Sequence, residues 1–220
     1  MTNQIVDRNA WLQARAELLE KEKSFTRARA ELAETRRQLP WVKVDKDYRF
    51  QTPDGEKRLQ DLFLDRSQLA IYHLMFGPGW SAPCIGCTQW ANALDRTTGA
   101  FKQADARLIA VSRAPLEEIE AQKEKLGWTF TWASSFGSDF NYDYFASAAD
   151  TEGTSYAYTG GEGVTTGEKV GFDRGENHGV SVFCREGDQV YHTYSAYNRG
   201  IEELNGAFGY FDLLPKGRAW

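Results

Sequence analysis

Leu69-Ala70-Ile71-Tyr72-His73-Leu74-Met75-Phe76 is a nearly continuous apolar run that breaks at Gly77-Pro78-Gly79 and, after Trp80-Ser81-Ala82-Pro83, reaches Cys84-Ile85-Gly86-Cys87. Such a run is what a central strand covered on both faces needs. Residues 88–101 then place Trp90, Ala91, Leu94 and Phe101 at helical spacing. The order is strand, loop, cysteine pair, helix. Arg107-Leu108-Ile109-Ala110-Val111-Ser112 is a second buried strand, and residues 115–126 form a second helix that opens on Pro115 and stops at Gly127. Together these predict a β-α-β-α unit with parallel strands and right-handed crossovers.

Outward from this unit, residues 7–39 are rich in Ala, Leu, Glu, Lys and Arg with no internal Gly or Pro, so one long helix is expected, capped by Asp7 and ended by Pro40. Trp11, Leu18, Phe25, Leu32 and Leu39 recur every seven residues, with Leu12, Leu19, Ala28 and Ala33 beside them. The seam is expected to be buried, either on the chain's own domain or across a homodimer. Val42-Lys43-Val44 and Tyr48-Arg49-Phe50 alternate as a short strand does, and Thr52-Pro53-Asp54-Gly55 carries turn chemistry leading to residues 59–63. Past the aromatic segment 128–132, residues 150–179 are glycine-rich and aperiodic, as a long loop or lid would be. Val180-Ser181-Val182-Phe183-Cys184 and Gln189-Val190-Tyr191-His192-Thr193-Tyr194 flank Arg185-Glu186-Gly187-Asp188 as a β-hairpin. The expected fold is α/β: a mixed sheet flanked by helices, with residues 1–39 as a helical extension and 40–220 as one domain carrying a loop insertion near 150–179.

The chain has 220 residues, 41% of them apolar, which suits one core with an appendage better than two independent domains. With 26 basic against 31 acidic residues, it lacks the positive field that gathers nucleic acid or an anionic membrane. No stretch approaches the ~20 apolar residues that span a bilayer, and the first residues lead into charged sequence instead of a leader. A cytoplasmic location, with neither nucleic acid nor membrane as partner, is the expectation. Three cysteines, Cys84, Cys87 and Cys184, are far from the dense framework of a disulfide-stapled secreted domain. A close pair in a reducing compartment reads as catalytic or metal-binding.

The first cysteine of a pair at a helix start lies where unpaired N–H groups and the positive helix end stabilise a thiolate. Cys84 is therefore the expected nucleophile. Cys87, further into the first turn and more buried, is the expected resolving thiol. Pro83 sets the chain direction before Cys84, and Gly86 leaves the turn open to a substrate backbone. Half a zinc site has the same spacing, but there is no second C-x-x-C and no H-x-x-x-H, and His73, His178, Cys184 and His192 are scattered. The strand before and the helix after place redox ahead of metal, and no metal or cofactor is expected.

Trp41-Val42-Lys43-Val44-Asp45-Lys46-Asp47-Tyr48, Tyr72-His73-Leu74-Met75-Phe76-Gly77-Pro78, Ala110-Val111-Ser112-Arg113-Ala114-Pro115, Gly127-Trp128-Thr129-Phe130 and the segment from Ser134 to Tyr142 resemble the family catalogued as domain of unknown function 899. The resemblance runs from the N-terminal helix past His192-Thr193-Tyr194-Ser195 to Arg199-Gly200. It implies a thioredoxin-like fold and a dithiol-disulfide oxidoreductase, with Cys84 and Cys87 as the pair that follows the Phe-Gly-Pro loop. Two departures stand out. Thioredoxins place a cis-proline before the strand facing the pair, where this chain has Asn177-His178-Gly179. Peroxiredoxins carry a Thr or Ser three residues before the cysteine, matched by Ser81, but their proline falls at the position of Gly77, one residue before Pro78.

The leading expectation is thus an enzyme exchanging disulfides with a protein or small-molecule substrate, fed by an electron donor the sequence does not name. Alternatives are a thiol peroxidase in which Cys84 forms a sulfenic acid, and a non-enzymatic redox-sensing or metal-binding adaptor. His178, in the loop before Val180, is expected near Cys84, either stabilising the thiolate as a cation or accepting its proton. Cys184 reads as a small buried hydrophobe, His73 as a hydrogen-bonded core histidine and His192 as structural. Phe136, Phe140, Tyr142, Tyr144 and Phe145 read as the cap of a core.

Overall fold

The structure, a computed structural model, describes residues 4–148 and 175–218. Most of the loop expected at 150–179 therefore lies outside the described residues. The chain divides into two compact units, Met1–Pro40 and Trp41–Trp220.

The first unit is α1, Arg8–Arg37. Asp7 caps it by accepting a hydrogen bond from the Ala10 N–H at 2.9 Å, and Arg36 and Arg37 complement the negative end in the last turn. None of its residues is buried. Trp11, Leu18, Phe25 and Leu32 are between 46% and 59% exposed in the single chain.

The second unit is built on one sheet of eight strands: β1 (Val42–Lys43), β2 (Arg49–Thr52), β3 (Gly55–Arg58), β4 (Gln68–His73), β5 (Ala106–Ser112), β6 (Trp132–Ser134), β7 (Gly179–Glu186) and β8 (Gln189–Tyr197), in the order β1-β8-β7-β4-β5-β6-β2-β3. β4 lies inside the sheet, parallel to β5 and antiparallel to β7, as its unbroken apolar character requires. The connections are α2 (Ile85–Phe101) between β4 and β5, and α3 (Leu116–Leu126) between β5 and β6. Gly127 ends α3 with φ +68°, a left-handed cap that glycine adopts without strain. The hairpin of β7 and β8 follows the sequence reading.

Alternation along β4 sorts the core into two layers. Tyr72 and Leu74 join Cys87, Ala91 and Leu94 of α2 and Ile119 of α3 on one face. Leu69 and Ile71 join Leu62, Phe63 and Phe140 on the other. This is a thioredoxin-like α/β fold. No helix among the described residues is long and apolar enough to cross a membrane.

The two short alternating segments near residue 45 separate in space. β1 adds to the β8 edge, whereas β2 joins β6 near the opposite edge and turns into β3. At Gly179 a Cβ would lie 2.1 Å from the Tyr197 ring and 2.8 Å from the Ala196 carbonyl oxygen. Gly179→Ala is therefore expected to cost about 1–3 kcal/mol through overpacking, read by denaturant unfolding. An unchanged midpoint would contradict that close approach.

Candidate active site

The end of β4 delivers the chain to the cysteines. Cys84 donates its backbone N–H to the Met75 carbonyl at 3.0 Å, pinning it to the chain just past the strand. Cys84 is the N-cap of α2 with extended backbone (φ -53°, ψ 135°), and its carbonyl accepts the Thr88 N–H at 2.9 Å and the Thr88 hydroxyl at 3.0 Å. No acidic residue occupies the first turn, so nothing there offsets the positive end of the helix. Pro83, the residue before the cap, is buried.

The two thiols sit in different surroundings. Cys84 is half-buried, Cys87 is 2% exposed, and no disulfide joins them. The neighbouring Cys84 sulfur and burial push the Cys87 thiol well above its ordinary value, while the Tyr72 hydroxyl and the Met75 backbone pull it the other way. Burial likewise raises the Tyr72 phenol, with Cys87 next in effect. The Tyr72 hydroxyl is buried and makes no hydrogen bond of full geometry. Its ring stacks on Trp90 of α2, centroids 6.0 Å apart and 11° from parallel.

Around the pair, Ile85 is 81% exposed and Gly86 is open. A Cβ on Gly86 would come 3.9 Å from the Cys84 sulfur. Ser81 is exposed, and its carbonyl accepts from Gln122 at 3.0 Å. His178 is half-buried with its ring 6.4 Å from that of Trp90. This sets it against the cysteine-bearing helix, through Trp90. Burial lowers its pKa, with Glu202 opposing.

Sequence reading missed a buried ion pair behind the loop. Arg113 donates to Glu176, one carboxylate oxygen of which takes both contacts, while Ser147 donates to the other at 2.7 Å; Arg113 also donates to the Tyr142 hydroxyl. Glu176 is 1% exposed. A Cβ on Gly77 would lie 3.2 Å from this carboxylate, and Ala114, next to Arg113, donates its N–H to the Phe76 carbonyl at 2.9 Å. The pair thus braces the Phe76-Gly77-Pro78 loop that leads to Cys84. Glutamate within a glycine-rich stretch gives no pattern from which this burial could be read.

The remaining candidates are placed as follows. His73 is wholly buried; its Nε2 shares a hydrogen bond of 2.8 Å with Ser181, and burial lowers its pKa to about 3. His192 is half-buried, with Nε2 2.7 Å from the Ser195 hydroxyl. Cys184 is only half-buried, so it does not behave as a fully enclosed hydrophobe. Phe140 and Tyr144 are buried, but Phe136 and Phe145 are about half exposed (54% and 50%), so that aromatic group caps the core only in part. A pocket of about 320 Å³, lined by Val44, Lys46, Tyr48, Asp143, Tyr144 and His192, opens on the face of the sheet away from the cysteines. Among the described residues no group of three His, Cys, Asp or Glu side chains gathers as metal ligands do.

Solved structures similar to this chain include two peroxiredoxin-type proteins. Peroxiredoxin Q of Xanthomonas campestris superposes with a TM-score of 0.51 at 16% identity, covering 78% of this chain and 94% of that one. Peroxidoxin BcpB of Mycobacterium tuberculosis gives a TM-score of 0.44 at 14% identity, covering 66% of this chain and 77% of that one. No curated protein matches the sequence. The family whose model matches residues 1–220 is described as bacterial protein of unknown function (DUF899), and the chain belongs to it.

Proposed function

We propose that the chain is a thiol-disulfide oxidoreductase working through Cys84 and Cys87. The observation that carries the reading is the asymmetry of two neighbouring sulfurs at one helix start: Cys84 is half-buried at the N-cap, and Cys87 is enclosed with its thiol pushed upward. The accessible thiol attacks a substrate disulfide, and the enclosed one resolves the mixed disulfide. Exposed Ile85 and open Gly86 beside Cys84 suit a disulfide-bearing peptide or small molecule approaching from solvent. Pro83 and Ser81 shape the loop, and His178 is available as a neutral proton acceptor. Titrating the reduced protein against glutathione redox buffers, with mass labelling of the remaining thiols, is expected to show Cys84 and Cys87 disappearing together as one two-electron couple. Independent loss of each, or co-purified stoichiometric zinc with both thiols unoxidised, contradicts the reading.

The runner-up is a thiol peroxidase. It rests on the fold shared with peroxiredoxin Q and on Ser81 three residues before Cys84. Consumption of hydrogen peroxide by the reduced protein at a rate above that of disulfide reduction would favour it.

The exposed seam of α1 carries a separate expectation. A stripe repeating every seven residues over a thirty-residue helix is the pattern of a helix that pairs with a like helix. We propose that a second copy of the chain covers it. Light scattering is expected to give a dimer that Leu18→Glu with Phe25→Glu converts to monomer; a monomeric wild type contradicts this.

A further inference from the structure

Tyr72 is a tyrosine in a place where a phenol is costly. It lies on an interior strand, it is 1% exposed, and a buried hydroxyl without a partner of full geometry forfeits the hydrogen bonds it had in water. A phenylalanine would fill the same space and stack on Trp90 equally well. What the hydroxyl adds is its position. Tyr72 follows Ile71 on the strand that feeds the cysteine loop, its side chain is on the face covered by α2, and it lies in the same buried layer as Cys87.

Resting on the proposed exchange reaction, we propose that the Tyr72 hydroxyl is a catalytic hydrogen-bond donor to the sulfur of Cys87. After Cys84 has attacked a substrate disulfide, the intermediate holds a bond between the Cys84 sulfur and one substrate sulfur. Cys87 then gives up its proton and attacks the Cys84 sulfur. The bond between Cys84 and Cys87 forms, the bond from Cys84 to the substrate breaks, and the departing substrate thiolate takes a proton. The substrate disulfide has gained two electrons and the protein dithiol has lost two. The difficult point is the anion on Cys87, which develops in an apolar enclosure where that residue is only 2% exposed to solvent. The phenol O–H meets that charge there. Burial holds the phenol in its protonated form, so it donates and does not act as a base. The same contact draws the Cys87 thiol downward against its surroundings.

The test uses the full chain in a Cys184→Ser background, so that two thiols report, with dithiobis-nitrobenzoate as the substrate disulfide. Attack by Cys84 releases one equivalent of the coloured thiol, and resolution by Cys87 releases the second. Tyr72→Phe is expected to leave the first phase within about twofold and to slow the second by roughly tenfold or more, the size of a hydrogen bond to a charged group. Its pH dependence should also move to higher pH. Melting temperature is expected to hold or rise, because the phenol makes no full hydrogen bond in the resting protein and its burial is costly. An unchanged second phase overturns the proposal, and so does an equal slowing of both phases, which a packing defect would give. If the Tyr72-containing background releases no second equivalent at all, the exchange reading itself fails and Tyr72 loses its role with it.

Discussion

Cys84→Ser is expected to abolish disulfide exchange, and Cys87→Ser to stop it one step later. A serine hydroxyl is not ionised at neutral pH and cannot stand in for the thiolate, so the loss for Cys84→Ser is on the order of a thousandfold or more. Cys87→Ser keeps the half-buried Cys84 thiol at the N-cap of α2, so the first attack proceeds and the mixed disulfide accumulates. Intact-mass spectrometry in a Cys184→Ser background, after exposure to a disulfide substrate, distinguishes the two: no adduct for the first variant, one stable adduct for the second. An adduct on both, or on neither, contradicts the assignment of roles.

Arg113→Met is expected to destabilise the fold by about 3–5 kcal/mol at neutral pH, because it strands a buried carboxylate. Glu176 is 1% exposed and Arg113 supplies its counter-charge. Burial raises the Glu176 carboxyl above its ordinary value even with Arg113 beside it. A group raised in the folded state favours folding while it is protonated, and that contribution is lost as the pH climbs through the folded value. Without Arg113 the folded value rises further, so the cost of the substitution is greatest at neutral and alkaline pH and shrinks on the acid side, where the carboxyl is protonated in both proteins. Denaturant unfolding across the pH range checks this, and a cost that is the same in acid and at neutrality contradicts it. Adding Glu176→Gln to Arg113→Met should recover part of the loss. Because the pair braces the Phe76-Gly77-Pro78 loop, Arg113→Met should slow the first attack by Cys84 as well.

The central unit of β4, α2, β5 and α3 was legible because each signal is local. Apolar runs, the Pro115 start and the Gly127 stop are set by residues within a few positions of one another. What escaped is non-local or carries no apolar pattern. β3 reads Gly55-Glu56-Lys57-Arg58, and it is a strand because β2 pairs with it at the sheet edge. β6 spans three residues and is fixed by its register on β5, so the aromatic segment before it gave no cue. The wide separation of β1 from β2 depends on which edges β8 and β6 leave open, a matter no nearby residue records.

The site divides in the same way. Cys84 and Cys87 stand out because their spacing is a chemical motif. Tyr72, the donor proposed for Cys87, is one more large residue in an apolar run, although a phenol in the interior strand that feeds a cysteine loop is a signal that chemistry could have used. The seam of α1 shows the opposite limit: its period was plain in sequence, but periodicity says that a surface wants a partner and not where the partner comes from.

The most direct measurement is to oxidise the reduced wild-type protein mildly and map its disulfides by peptide mass. The account predicts that the peptide carrying Cys84 and Cys87 loses two hydrogens through an internal bond, that Cys184 stays a thiol, and that dithiothreitol restores both thiols. A bond from either cysteine to Cys184, or Cys84 and Cys87 both still thiols after Cys184 has been oxidised, would contradict it.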